Sequence, residues 1–195
     1  MADTKIINLP TDIVALADGD KFAVADASAT AADTYATALE IKNYCVPKPM
    51  VEIHLTADET GKTDATLTDT ALLFSVTSGR YYMFMFFIGY QSTVATVGLK
   101  LGMTTPTFTI FTALSETAGQ VADKAGAVWQ GTLNSSGDAT VATATLTINT
   151  DEIAIIRGFI LPSANGTLRV QYAAETTGAT VTMKRGSCGV MWDLT

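Results

Sequence analysis

The stretch Gly79–Tyr90, which reads GRYYMFMFFIGY, is the longest apolar and aromatic run in the chain and constrains its fold most strongly. In a strand, its odd-numbered residues point to one face and its even-numbered residues to the other, because side chains alternate with a period of two. The glycines Gly79 and Gly89 and the many aromatic residues favour a strand over a helix. The run is also too short for a membrane-spanning helix, which needs about 20 residues. Both faces are apolar and need cover, so we expect this strand near the middle of a β-sandwich.

The composition supports an all-β fold. The sequence contains 32 threonines, and this β-branched residue suits the water-facing side of a strand. Hydrophobic residues make up 48% of the chain and charged residues only 16%, which argues against disorder. A chain of 195 residues is long enough to bury a substantial core and to form one domain with an appendage.

Residues 50–195 form the predicted folded domain. They contain about nine or ten short apolar or alternating stretches separated by turn signals, with no helical pattern longer than two turns. This pattern is typical of an antiparallel β-sandwich, and a jelly-roll-like topology is the leading prediction. The sequence shows no repeat of about 20–50 residues, which argues against a propeller or a solenoid.

Local signals predict how several of these strands are connected. Residues 115–126, SETAGQVADKAG, indicate a helical turn or a long loop. Val128–Leu133 and Thr140–Ile148 are predicted to form a hairpin around an Asn-Ser-Ser-Gly turn. Asn165-Gly166 is a strong hairpin turn signal and follows the apolar run Ile153–Leu161.

Ile153–Leu161 is the second run in the chain that is apolar on both faces. One face of each such strand is expected to line the core, and the other face a neighbouring subunit, since jelly rolls often trimerise in this way. We therefore predict a homotrimer; the alternative is that loops of the same chain cover the second face. The predicted interface residues are Tyr81, Met83, Met85, Phe87, Ile156 and Ile160.

Residues 1–49 are predicted to form an extended N-terminal arm outside the sandwich. Pro47 and Pro49 mark the boundary, because proline restricts both its own backbone and that of the preceding residue. The arm has few large apolar residues and is not expected to fold alone. We expect it to gain order from a partner or from neighbouring copies.

The charge is distributed unevenly. Residues 1–69 contain 12 acidic residues and 5 lysines, whereas residues 70–195 contain 7 acidic and 7 basic residues, so the net charge of −7 belongs to the first third. This acidic balance predicts no nucleic-acid partner. The N-terminus MADTKIINLP has no apolar signal-peptide core, so we expect neither secretion nor a membrane partner. The acidic segment either faces a basic partner surface or is simply solvated.

The two cysteines, Cys45 and Cys188, are far apart in the sequence and lack the spacing of a metal site. Assembly in a reducing cytoplasm predicts that both are free, buried thiols. A disulfide within or between chains is the alternative in oxidising surroundings.

The residues that carry chemistry form no catalytic pattern. His54 is the only histidine and no Gly-x-Ser-x-Gly motif accompanies it, so we interpret it as structural or exposed. Asp18-Gly19-Asp20 lacks the alternating ligands of a calcium loop and predicts a turn. Asp151-Glu152 and Glu175 lie near predicted turns, where carboxylates are common. The tyrosines and tryptophans predict core or interface contacts rather than sugar-stacking platforms. We expect no enzyme activity, cofactor or metal.

The segment Leu9–Cys45 carries an ALADGD turn, a short strand at Lys21–Val24, a DAS turn and an apolar pair within Thr37–Ile41. This arrangement resembles an N-terminal attachment module of tailed-bacteriophage virion proteins, found on fibres, spikes and decoration proteins. The body, Ala71–Thr195, is similar to the jelly-roll domains of phage decoration and head- or tail-fibre proteins. The similarity is carried by the long aromatic strand, the GTLRVQYAAE segment and the VTMKRGSCGVMWDL ending.

The resemblance implies a structural virion protein that is assembled in the host cytoplasm. The chain lacks coiled-coil heptads and β-helix repeats, which favours a trimeric capsid decoration (cement) protein over a fibre. Its partner is then the major capsid protein or another virion protein. The alternative is a tail-associated fibre or receptor-binding protein that recognises a host surface glycan. The apolar arm residues that are expected to attach to the capsid are Leu9, Ile13, Leu16, Phe22, Val24, Leu39 and Ile41.

Overall fold

A computed structural model describes the backbone of residues 21–23, 35–37, 50–121, 124–142 and 148–195, and the side chains of residues 50–118, 128–142 and 148–195. The chain divides into two units, Met1–Pro47 and Lys48–Thr195. In the first unit, strand β1 (Lys21–Ala23) pairs antiparallel with β2 (Tyr35–Thr37), which confirms the strand expected there. Phe22 lies in β1. The other expected attachment residues lie outside the described residues: Leu9, Ile13, Leu16, Val24, Leu39 and Ile41.

The second unit contains eleven strands and, within its described residues, no helix. The strands are β3 (Met50–His54), β4 (Thr68–Val76), β5 (Tyr82–Ser92), β6 (Leu99–Thr104), β7 (Phe108–Val121), β8 (Lys124–Leu133), β9 (Ala139–Val141), β10 (Glu152–Pro162), β11 (Gly166–Ala174), β12 (Val181–Met183) and β13 (Cys188–Asp193).

These strands form two antiparallel sheets. The larger sheet has the order β3-β13-β5-β10-β7-β8, with β12 also paired to β5, and the smaller sheet has the order β4-β11-β6-β9. Apart from the β7–β8 pair and the last two strands, consecutive strands alternate between the sheets, and the first strand of the unit lies beside the last. This is the strand order of a jelly roll. The predicted all-β, jelly-roll-like sandwich is therefore confirmed.

The core lies between the two sheets, and β5 shows how the sequence fills it. Even-numbered side chains of β5 point inward, and Phe84 and Phe86 are almost completely buried. The ring of Phe86 packs against Phe74 of β4, with 5.3 Å between the ring centroids. Burial of a side chain of this size contributes about 1.5–3 kcal/mol to stability. The long aromatic run is thus a central strand, as expected, with one face in the core.

The prediction of a helical turn or loop at residues 115–126 is wrong. β7 continues to Val121 and β8 begins at Lys124, and the two strands pair as a long hairpin. Ser115 and Thr117 point inward and are buried, although neither is apolar. Pairing of β7 with both β8 and β10 outweighs the weak strand propensity of these small polar residues.

Both predicted hairpins among the later strands are also wrong. β9 pairs with β6 in the smaller sheet, whereas β8 belongs to the larger sheet. Likewise, the chain crosses from one sheet to the other between β10 and β11, so Asn165 and Gly166 mark a crossover. Turn chemistry reverses the chain direction, but the burial of apolar faces decides whether the two strands pair side by side or face to face.

Candidate interaction surface

The larger sheet presents an apolar surface on the side away from the core, which we call the outer face. Strand pairing places outward side chains in rows across the sheet, because directly paired residues share a face. One row contains Trp192, Met83 and Phe159, and Met83 and Phe159 are 44% and 39% exposed. The outer face of the four central strands includes Cys188, Val190 and Trp192 on β13, Met83, Met85 and Phe87 on β5, Ile153, Ile155, Arg157 and Phe159 on β10, and Ile110, Thr112, Leu114 and Glu116 on β7.

Four of the six predicted interface residues belong to this side of the sheet. Met83, Met85 and Phe87 lie on the outer face, and the ring of Tyr81 stacks on Phe159 at 6.4 Å between centroids. Whether these residues contact a second subunit stays a prediction.

The structure places the other two predicted interface residues, Ile156 and Ile160, in the core, and this placement corrects the expectation. Both are fully buried, because β10 pairs Ile156 with the inward-facing Phe86 and Ile160 with the inward-facing Tyr82. The preceding residues, Ile155 and Phe159, lie on the outer face, where the prediction had placed Ile156 and Ile160.

A shallow groove of about 410 Å³ lies near the centre of the outer face. Its walls include Met83, Leu114, Phe159 and Trp192, and the backbone at Gly158 contributes to its floor. A Cβ atom on Gly158 would lie 2.3 Å from the carbonyl oxygen of Thr112, so only glycine fits between β10 and β7 at this point.

One polar network interrupts the apolar surface. Arg157 donates from its guanidinium to Glu116 Oε2 at 2.9 Å, and Gln130 Nε2 donates to the other oxygen of Glu116 at 2.8 Å. Arg157 and Glu116 lie diagonally on neighbouring strands, because Glu116 is paired with Ile155, two residues from Arg157. The network was missed in the sequence because Glu116 fell within a predicted loop.

The carboxylates considered as catalytic candidates each take part in structural contacts. Glu152 is buried and accepts a hydrogen bond from the Tyr90 hydroxyl at 2.7 Å. Burial, together with this carboxylate, raises the pKa of Tyr90 far above its ordinary value. Asp151 accepts from Gln91 Nε2, and Glu175 accepts from the backbone N–H of Gly98. Each of the three carboxylates thus has a hydrogen-bond partner within the sandwich.

A cleft of about 510 Å³ borders the outer face at the turn between β12 and β13. Phe87, Asp151, Lys184 and Arg185 contribute to its lining. Lys184 forms an ion pair with Asp58, and the backbone N–H of Arg185 donates to the same carboxylate. These two contacts hold the pKa of Asp58 below its ordinary value, with the Arg185 backbone hydrogen bond the larger cause.

His54 and Cys188 are directly paired neighbours on β3 and β13. His54 is exposed and Cys188 is a half-buried free thiol, while Cys45 lies outside the described residues. Among the residues that the structure describes, no group of three or more histidine, cysteine or acidic side chains is arranged to hold a metal ion. In the same part of the chain, no helix is long and apolar enough to cross a membrane.

Comparisons with known proteins add little to this geometry. No protein-family model matches the chain, and no curated protein matches its sequence. A solved structure, that of the infectious bursal disease virus Gt strain, aligns with 95% of this chain at 12% sequence identity and a TM-score of 0.22. The alignment covers 50% of that viral chain, so the present chain spans about half its length. A likeness this low carries no argument about function.

Proposed function

We propose that the chain is a non-enzymatic structural protein of a tailed-bacteriophage particle, and that it assembles as a homotrimer through the outer face. The observation that carries this proposal is the apolar character of four adjacent strands on a surface that no described residue covers. Large side chains such as Met83, Phe159 and Ile153 remain between 39% and 52% exposed there. Contiguous apolar surface of this kind is typical of an interaction site.

The size of the outer face fits a stable interface. Six strands spaced about 4.8 Å apart, with about eight residues each at about 3.3 Å, span roughly 25 Å in each direction. The resulting area of about 600 Å² approaches the ~800 Å² per partner of a standard protein interface. A cyclic trimer buries such a surface on every copy, which is why we favour it over a monomer.

The resemblance of residues 9–45 to phage attachment modules supports the second half of the proposal. Under it, the arm binds the capsid lattice, while the sandwich projects as a trimeric knob and stabilises the head as a cement protein. Binding of this kind stabilises the assembled capsid because it favours the state to which the protein binds.

Light scattering on the full chain tests the assembly, and three times the chain mass is the expected result. Particle binding tests the attachment: deletion of residues 1–49 is expected to abolish binding to heads while leaving a soluble trimer. Normal decoration by the truncated chain would refute attachment through the arm, and a monomer at micromolar concentration would refute the assembly.

The cleft beside Phe87 favours a second candidate role, recognition of a host surface glycan by a tail-associated protein. It combines an exposed aromatic ring with Asp151, Lys184 and Arg185, side-chain types that stack on sugars and hydrogen-bond to them. Binding of the purified chain to host polysaccharide, lost in Arg185→Ala, supports this role. Labelling of heads rather than tails by an antibody to the chain argues against it.

A further inference from the structure

Arg157 lies in the middle of the apolar outer face with unused hydrogen-bond donors. It is paired across the sheet with Met85 and Leu114, both apolar. Glu116 occupies one edge of the guanidinium, and both oxygens of that carboxylate are already engaged. A guanidinium has five N–H donors, so most of those on Arg157 have no acceptor among the described residues.

A partner that covers the outer face has to supply an acceptor for Arg157. Removal of a charged guanidinium from water is costly unless its donors are paired, and one carboxylate at its edge satisfies only part of it. In water these donors are solvated, and Arg157 is about half exposed. The surface that replaces this water therefore carries a carboxylate or other acceptor opposite Arg157.

Glu52 is the carboxylate of the outer face that fits this requirement. It lies on the edge strand β3 and shares a row with Arg157, because Glu52 pairs with Val190, Val190 with Met85, and Met85 with Arg157. Glu52 is exposed and makes no hydrogen bond or ion pair with any described residue. Three strand spacings, about 14 Å, separate it from Arg157 of the same chain, which is too far for an ion pair.

We infer that Arg157 of one copy pairs with Glu52 of a second copy, and that this pair fixes how the copies dock. The inference rests on the proposed trimer and names the residues that set its register. In a cyclic trimer each interface joins two different patches, so an interface between the centre of one sheet and the edge of the next is compatible with the symmetry. The guanidinium with unused donors lies at the centre of the sheet, and a carboxylate with no partner among the described residues lies on its edge strand, as such an arrangement requires.

A double-mutant cycle on the full chain tests this pairing. Arg157→Gln, Glu52→Gln and the double variant are compared with the wild type by sedimentation equilibrium at low and high ionic strength. Each single change is expected to weaken association by about 10-fold to 100-fold. The double variant is expected to lose no more association than the single variant that binds its partner least tightly. Asp69→Asn, on the opposite side of the sandwich, is the matched control and should leave association unchanged.

The outcomes separate the pairing from the trimer itself. Additive losses, or no loss in Glu52→Gln, overturn the pairing while the proposed trimer stands. A monomeric wild type overturns both. Because the side chain of Glu52 is exposed, Glu52→Gln leaves folding intact, and thermal melting of each variant confirms that a loss of association is not a loss of structure.

Discussion

The two outward surfaces of the sandwich differ sharply, although both belong to antiparallel sheets with the same alternation. The outer face of the larger sheet is apolar. On the smaller sheet, Asp69 instead accepts hydrogen bonds from Thr104 at 2.7 Å and Gln171 at 2.9 Å, and pairs with Arg169 at 3.2 Å. A surface with such a polar network is well hydrated, whereas an exposed surface of methionine and phenylalanine side chains is typical of protein contacts. The core side is apolar in both sheets, so the difference does not arise from the packing of the core.

The largest expected effect separates the inner and outer sides of β5. Phe86→Ala removes a fully buried ring and is expected to lower the free energy of unfolding by about 3–5 kcal/mol. Phe87→Ala changes the next residue, which is 36% exposed, and is expected to cost the monomer less than about 1 kcal/mol. Urea unfolding of both variants in dilute solution measures the difference. Equal losses would mean that the outer face is covered by the chain itself.

The sequence was sufficient to predict this alternation on β5 but not on β10. The long aromatic run predicts a central strand with two apolar faces, and the structure confirms it. On β10, Ile155 and Ile156 are equally apolar, so nothing in the local pattern indicates which one points inward. Register with β5 decides it, and register depends on contacts between residues far apart in the chain.

The polar network of the outer face could not be predicted from the sequence for a related reason. Glu116 and Gln130 meet only because β7 and β8 form a hairpin at a place where small polar residues predict a loop. The partner of Arg157 is thus set by tertiary pairing. The apolar residues of the outer face carry a signal in the sequence, whereas the ion pair among them does not.

The second prediction introduces a charge on each outward surface. Phe159→Asp places a carboxylate in the centre of the outer face, where its desolvation on assembly is expected to weaken association by at least about 100-fold. The matched control is Ser75→Asp, on an exposed position of the smaller sheet, and it should leave the mass of the assembly unchanged. Light scattering over a range of chain concentrations measures both. If only the control lost the trimer, the interface would be assigned to the smaller sheet instead.

The third prediction removes the network of the smaller sheet. Although burial works to raise the pKa of Asp69, hydrogen bonds from Thr104 and Gln171 and the charge of Arg169 hold it below the ordinary value. Asp69→Asn is expected to lower stability by about 1 kcal/mol at neutral pH, a small value because the pair is partly exposed to solvent. A depressed pKa stabilises the fold above the ordinary value near 3.8, and this contribution is lost as the pH falls through the lower folded value. Urea unfolding should therefore show the difference between wild type and variant at pH 7 and its progressive decrease as the pH falls below 3.8. A difference that persists in acid would show that the network acts through packing alone.

The smallest expected effect concerns Asp58, which lies in a loop and belongs to neither surface. Its carboxylate accepts from the backbone N–H of Arg185 at 2.7 Å and pairs with Lys184, and both contacts lower its pKa from the ordinary 3.8. Because the carboxylate is exposed, Asp58→Asn should change the melting temperature only slightly and leave association intact. An NMR pH titration that follows the Arg185 amide is expected to show a midpoint below 3.8 in the wild type and no titration in the variant. A midpoint at or above 3.8 would mean that the loop is detached in solution. The cleft beside Phe87 would then lose the fixed geometry of Lys184 and Arg185, whereas the apolar outer face would keep its own.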